Sequence, residues 1–148
     1  MPLLNTMYHK TLKLFYLSWI VALLGVAGSL IYSDILLVPI CALCWYQRIA
    51  MYPLILIYPV GIILKDKRAA VYALPLIVVG LLLSAYLVLL QAGILPHVGF
   101  GCGILNAVSC SEITFKLLGL LTIPQQALAG FGFLLILNVL VLMGWDEV

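Results

Sequence analysis

The chain has 148 residues, of which 66% are hydrophobic and 8% charged, with seven Lys and Arg against five Asp and Glu and a formal net charge of +2. Soluble globular domains carry about 25% charged residues, so this composition excludes them and points to a polytopic membrane protein. The near-neutral balance also leaves no electrostatic footprint for nucleic acid.

Crossing a hydrocarbon core of ~30 Å takes ~20 helical residues. The first such stretch, about 14–31, follows His9, Lys10 and Lys13. Its small residues Gly25, Ala27, Gly28 and Ser29 imitate a signal-peptide cleavage region. The apolar run is nevertheless longer than the ~7–15 residues of a signal-peptide core and reads as a retained anchor. Gly25 and Ser29, four apart, share one helical face. They either admit a close neighbour or reflect only how common small residues are in membrane helices.

A first outer loop, about 32–44, ends in Cys41-Ala-Leu-Cys44, where the second span, about 45–64, begins. Pro53 and Pro59 fall inside that span and Pro75 inside the third, about 69–91. Each removes a backbone donor and bends its helix, which opens a cavity or simply serves packing. Lys65, Lys67 and Arg68 fill the tight link between these two spans.

The second outer loop, about 92–122, divides into a Gly/Pro-rich part, GILPHVGFGCG, and SEITFKLLGLL. In the latter, Ile113, Leu117 and Leu120 at helical spacing predict a short interfacial helix. Thr122 and Gln125 have the spacing of a capping box and Pro124 suits a first turn, so the fourth span, about 123–144, has a marked start. Asn138 is a polar group inside that span, suited to bonding a neighbouring helix or lining a cavity. The predicted fold is an all-α membrane protein: one domain over 1–148, a four-transmembrane-helix bundle with a short interfacial helix in the second outer loop.

Lysines gather before span one and in the link between spans two and three, while the long loops hold only Lys116 as a clearly extramembrane cation. The positive-inside rule then puts both termini in the cytoplasm and both long loops outside. Cys41, Cys44, Cys102 and Cys110 all lie in or beside those loops, on the side where disulfides persist.

Three chemistries compete for the four thiols. A zinc site suits the Cys41-x-x-Cys44 half, but Cys102 and Cys110 are separated by seven residues, far from knuckle spacing. A structural staple is poorly served by a Cys-x-x-Cys pair, whose loop is too short to remove much chain entropy. A redox relay suits a Cys-x-x-Cys pair at a helix start, where the helix terminus and a nearby cation favour the attacking thiolate. Arg48 lies one turn beyond Cys44 at the outer end of a span, where the positive-inside rule does not place it. It either snorkels to the head groups or stabilises an anion, and the neighbouring dithiol favours the second. For an outward dithiol in a membrane, a lipid-soluble quinone is the natural candidate as two-electron acceptor.

CALCWYQRIAMYP resembles the signature of the DsbB family of membrane thiol:quinone oxidoreductases, in the short Gram-positive branch often called BdbC. VSCSEITFKLLGLLTIPQQALAGF is similar to that branch's second-loop motif. The likeness covers nearly the whole chain. It implies a Cys102–Cys110 disulfide attacked by a reduced DsbA/BdbD-like thioredoxin-fold thiol oxidase. Electrons then pass to a Cys41–Cys44 disulfide and on to a membrane quinone, menaquinone or ubiquinone.

By the same resemblance Cys41 exchanges with the loop pair, Cys44 meets the quinone, and Arg48 and Gln91 belong to the quinone site. Many members carry a histidine one turn before that glutamine, and here the position is Leu87. His97 reads as a solvated loop residue and His9 as an inner-surface one. The implied activity is a bacterial plasma-membrane enzyme that supports disulfide formation in secreted proteins. The alternatives are a vitamin K epoxide reductase-like protein, in which the order of the two cysteine pairs is reversed, and a non-catalytic membrane protein with stapled loops.

Overall fold

Helix α1 covers Pro2–Leu30, starting well before the expected position 14, at a proline whose missing N–H is no loss in a first turn. The computed structural model describes residues 2–37, 42–94, 116–117 and 121–143. At residue 31, where the first span is expected to end, the chain stays helical. Ile31–Ile35 form a wider π-helical turn in which the Leu36 N–H donates to the Ile31 carbonyl at 3.0 Å. Helix α2 is Ala42–Leu64, so Cys44 belongs to its first turn rather than to the loop. Helices α3, Arg68–Gln91, and α4, Ile123–Met143, match the expected spans to within a residue.

Helices α2 to α4 have 21 to 24 residues each, which at ~1.5 Å per residue matches a hydrocarbon core. Within α1 and the turn that follows, Thr11–Ile35 is the apolar segment long enough to cross. The chain is a multi-pass membrane protein of the all-α, four-helix kind.

Side-chain contacts show how the helices run. Phe15 meets Tyr58 and Ser29 meets Arg48 between α1 and α2. Gly61 meets Ala69 and Gln47 meets Ser84 between α2 and α3. Gly80 meets Phe131 and Ala70 meets Asn138 between α3 and α4. Early residues of one helix thus pair with late residues of the next, so successive helices are antiparallel. Helix α1 closes the ring against α4.

The interior is built from small residues, Ala22, Ala50, Ala70 and Ala73 among them, around Phe131 and Leu54. Large apolar side chains face outward, Leu24 being 67% exposed and Ile63 76%. That distribution suits lipid as solvent, where helices associate by close packing rather than by a hydrophobic drive. At Gly25 an added Cβ would lie 2.8 Å from Met51 Sδ. Gly25 and Ser29 are therefore contact residues on the α2-facing side of α1. Gly80 likewise has no room for a Cβ, because the Phe131 ring occupies the space.

Two side chains bond backbone carbonyls of a neighbouring helix, the first of them at a proline. Pro59 has no N–H to give the Ile55 carbonyl, and the Trp19 indole N–H donates to that carbonyl instead, at 3.2 Å. Asn138 donates from Nδ2 to the Ala70 carbonyl at 2.8 Å, so its role is interhelical bonding.

At the C-terminus of α2, Lys65 N–H donates to Ile62 O and Asp66 N–H to Gly61 O, the Schellman pairing, with Lys65 at φ 53 in the left-handed position. That position favours glycine. Lys65→Gly is expected to raise stability by about 1 kcal/mol. A thermal midpoint in detergent that stays level or falls contradicts this assignment.

Sequence and structure differ before α4. Lys116–Leu117 (β1) pair antiparallel with Leu121–Thr122 (β2), Lys116 opposite Thr122 and Leu117 opposite Leu121. The short interfacial helix expected over SEITFKLLGLL, from Ile113, Leu117 and Leu120 at helical spacing, gives way to this strand pair at Lys116, Leu117 and Leu121, and its residues 111–115 and 118–120 lie outside the described residues. An isolated helix of that length is marginal. Gly119, in the same stretch of sequence, is a residue type that weakens a helix. The capping box is half formed: the Thr122 N–H donates to Gln125 Oε1 at 3.0 Å, while Thr122 Oγ1 is buried with no hydrogen-bond partner among the described residues.

Candidate functional site

The chemistry-bearing residues gather at the end of the bundle opposite the Lys65–Arg68 link, because the antiparallel pairing of α1 and α2 brings Ser29 beside Arg48. Arg48 is 6% exposed and points into the bundle. Its Nε donates to Ser29 Oγ at 2.7 Å and its Nη2 to the Ser29 carbonyl at 2.6 Å. Its Cζ lies 5.3 Å from the centroid of the Trp45 ring, a cation–π contact from the preceding turn. A snorkelling arginine would extend to the head groups; this one is held inward by a planar fork. Among the described residues, Ser29 engages two of the five guanidinium N–H donors, which leaves three. A buried arginine in a membrane helix is costly and commonly marks a functional cavity.

Such a cavity is present. It encloses about 310 Å³ between α1, α2 and α4. Its walls include Val21, Leu24, Met51, Ile123 and Phe131, and its polar groups are Ser29, Tyr32, Cys44, Gln47, Arg48 and Gln126. A mostly apolar cavity of this size with a few convergent polar groups is the ordinary form of a small-molecule site.

Cys44 is half-buried between two environments. On one side it lines the cavity, and on the other it packs against Leu43, Leu87 and Leu90. Leu87, at the position where the resemblance leads one to look for a histidine, is thus part of the apolar backing of the Cys44 thiol.

The π-helical turn places Tyr32 over the cavity, where its hydroxyl donates to Gln126 Oε1 of α4 at 3.1 Å. Wide turns of this kind often occur at functional sites, because they rotate the following side chains out of the α-helical register.

Of the residues expected at the site, Cys44 and Arg48 come together on one wall. Gln91 is half-buried in the last turn of α3 and is not part of this cavity. Cys41, Cys102, Cys110 and His97 lie outside the described residues. Sequence reasoning missed Gln47, Tyr32, Gln126 and the polar role of Ser29. Gln47 adjoins Arg48, and its polarity within a span is the signal that could have found it. Tyr32 was hidden by the expectation that the helix ends before it.

The geometry can be set beside known proteins. The family model described as "Disulfide bond formation protein DsbB" matches residues 9–141. The chain belongs to the DsbB family. It is 41% identical over 134 residues to a "Probable disulfide formation protein" of Oceanobacillus iheyensis, covering 90% of this chain and 91% of that one. It is 39% identical over 121 residues to "Probable disulfide formation protein C 2" of Bacillus cereus, covering 82% and 85% of the two chains. With "Probable disulfide formation protein C" of Halalkalibacterium halodurans the identity is 35% over 136 residues, 92% and 98% of the two chains. No solved structure matches the chain. As a member of the DsbB family with four membrane-spanning helices, the protein is a disulfide-forming membrane protein, and the Bacillus C proteins among its relatives agree with the branch that the sequence resembles.

Proposed function

We propose that this DsbB-family protein is a dithiol:quinone oxidoreductase that reoxidises an extracytoplasmic thioredoxin-fold thiol oxidase. The observation that carries the reading is that Cys44 and Arg48 line one apolar cavity at one end of the bundle. Lys13 and the Lys65–Arg68 link are at the opposite end, which the positive-inside rule assigns to the cytoplasm, so the cavity faces the outer leaflet.

A quinone suits this cavity because its ring is flat and apolar and its carbonyl oxygens are hydrogen-bond acceptors. Met51 and Phe131 offer apolar walls, and Arg48 offers charge-assisted donors beside the Cys44 thiol. When bound, a quinone supplies a two-electron, two-proton acceptor. The balance over the protein is that a partner dithiol becomes a disulfide, losing two electrons and two protons.

Cys102 and Cys110 receive the partner, Cys41 exchanges with that pair, and Cys44 is the thiol on the cavity. Arg48, held by Ser29, keeps a positive charge beside the cavity and favours negative charge developing there. The leucines behind Cys44 exclude water from one side of the thiol. Gln91, at the end of α3 and outside this cavity, carries a quinone contact only by the family resemblance.

Thiol trapping tests the reading. The four cysteines are expected to collect in the reduced state when quinone is depleted in the presence of a reduced thioredoxin-fold partner, and to reoxidise when menaquinone or ubiquinone is returned. Cysteine redox states that ignore both additions would sink it.

A further inference from the structure

The buried hydrogen bonds around Gln47 fix which way its amide faces. Ser84 Oγ donates its only proton to the Gly80 carbonyl at 2.7 Å. The hydroxyl can then act toward Gln47 only as an acceptor. Gln47 must present its NH₂ group to Ser84, and the Gln47 Nε2–Ser84 Oγ distance is 3.0 Å. The opposite assignment would set two acceptors against each other.

The side-chain carbonyl of Gln47 is therefore turned away from Ser84. Gln47 is 7% exposed, lines the cavity, and is the neighbour of Arg48 in the chain. Its Oε1 accepts no hydrogen bond from the described residues, yet it is not among the sealed-off, unsatisfied atoms. Gln47 is one of the residues that line the cavity, so the cavity is the space open to this carbonyl once it is turned from Ser84.

We propose that Gln47 is a specificity-determining residue that favours the reduced, hydroxyl-bearing form of the ligand, with Ser84 as its positioning residue. This rests on the reading of the cavity as a quinone site. Arg48 brings donors only, which serve the carbonyl oxygens of a quinone. Gln47 Oε1 brings an acceptor, which is useful only to the hydroxyl of a quinol. A pocket carrying both recognises the two redox states through different residues. Preference for the reduced form raises the potential of the bound couple and draws electrons away from the thiols.

The test is equilibrium binding in the intact chain carrying Cys44→Ala, in which no electron can pass to the ligand. The probes are a short-tailed menaquinone and, under anaerobic conditions, its quinol. Adding Gln47→Met, which keeps the volume and removes the acceptor, is expected to weaken quinol binding about tenfold, the scale of one hydrogen bond. Quinone binding should be unchanged, which also certifies the fold.

A tenfold change in that ratio lowers the two-electron midpoint of the bound ligand by about 30 mV, which spectroelectrochemistry reads independently. Ser84→Ala, which frees the amide to turn, should weaken quinol binding in the same direction by a smaller factor. If Gln47→Met weakens quinone and quinol equally, or neither, Gln47 is a packing residue and the proposal is overturned. If neither probe binds the parent chain, it is the assignment of the cavity to quinone that fails.

Discussion

Replacing Cys44 by serine is expected to lower thiol-dependent quinone reduction by on the order of 10³-fold or more, the scale seen when a covalent nucleophile is removed. Serine is close in size, and Cys44 is only half-buried, between the cavity and the cluster of Leu43, Leu87 and Leu90. The bundle should therefore survive with a small change in thermal midpoint. What is lost is the thiolate, the species that exchanges with disulfides, since a hydroxyl neither ionises at neutral pH nor forms a disulfide. The measurement is the rate at which a short-tailed menaquinone is reduced by a thioredoxin-fold dithiol in the presence of the purified protein. A Cys44→Ser rate within tenfold of the parent would remove Cys44 from the electron path. An unaltered binding constant for the quinone in the same variant would show that the cavity itself is intact.

The division between what the sequence shows and what it hides follows from physics. Lipid imposes length and apolarity on any spanning helix, so α3 and α4 are legible to within a residue, and the Thr122–Gln125 spacing marks where α4 starts. Arg48 is legible as an anomaly, because a charge within a span is costly wherever it is. Its inward direction is not, since only the close approach of α1 at Gly25 and Ser29 decides whether the fork finds a bundle partner or the head groups. Composition cannot distinguish a small residue that admits a neighbour from one that merely occurs, and Ser29 proves to be both a contact residue and the anchor of the guanidinium.

The π-helical turn has no comparable signature, so Tyr32 reads as loop until the backbone is seen to continue. Gln47 illustrates the remaining gap. Its type is visible beside Arg48, but its orientation depends on Ser84, 37 residues away on α3, which no local pattern connects to it. At Lys116 and Leu117 the error runs the other way, because apolar spacing alone overrules neither Gly119 nor the high entropy of nucleating so short a helix.

Arg48→Met is expected to slow quinone-dependent turnover by about 10- to 100-fold, the range of ~1.5–3 kcal/mol for hydrogen bonds to a charged group. Thiol exchange between the protein and its thioredoxin-fold partner should change far less, because that step takes place on the cysteines and not at the guanidinium. Removing the arginine also deprives the Ser29 hydroxyl and carbonyl of their donors, so some stability is lost, and the thermal midpoint must be read alongside the rate.

Arg48→Lys separates charge from shape. Lysine keeps the positive charge beside the cavity, but its ammonium lacks the planar fork that grips both Ser29 Oγ and Ser29 O while leaving donors for a ligand. If electrostatic stabilisation of developing negative charge dominates, Arg48→Lys should recover most of the turnover lost in Arg48→Met. If positioning dominates, Arg48→Lys should raise the apparent quinone KM nearly as much as Arg48→Met does. Unchanged KM and rate in both variants would leave the guanidinium as a structural brace between α1 and α2, and the quinone reading would then have to stand on Cys44 alone.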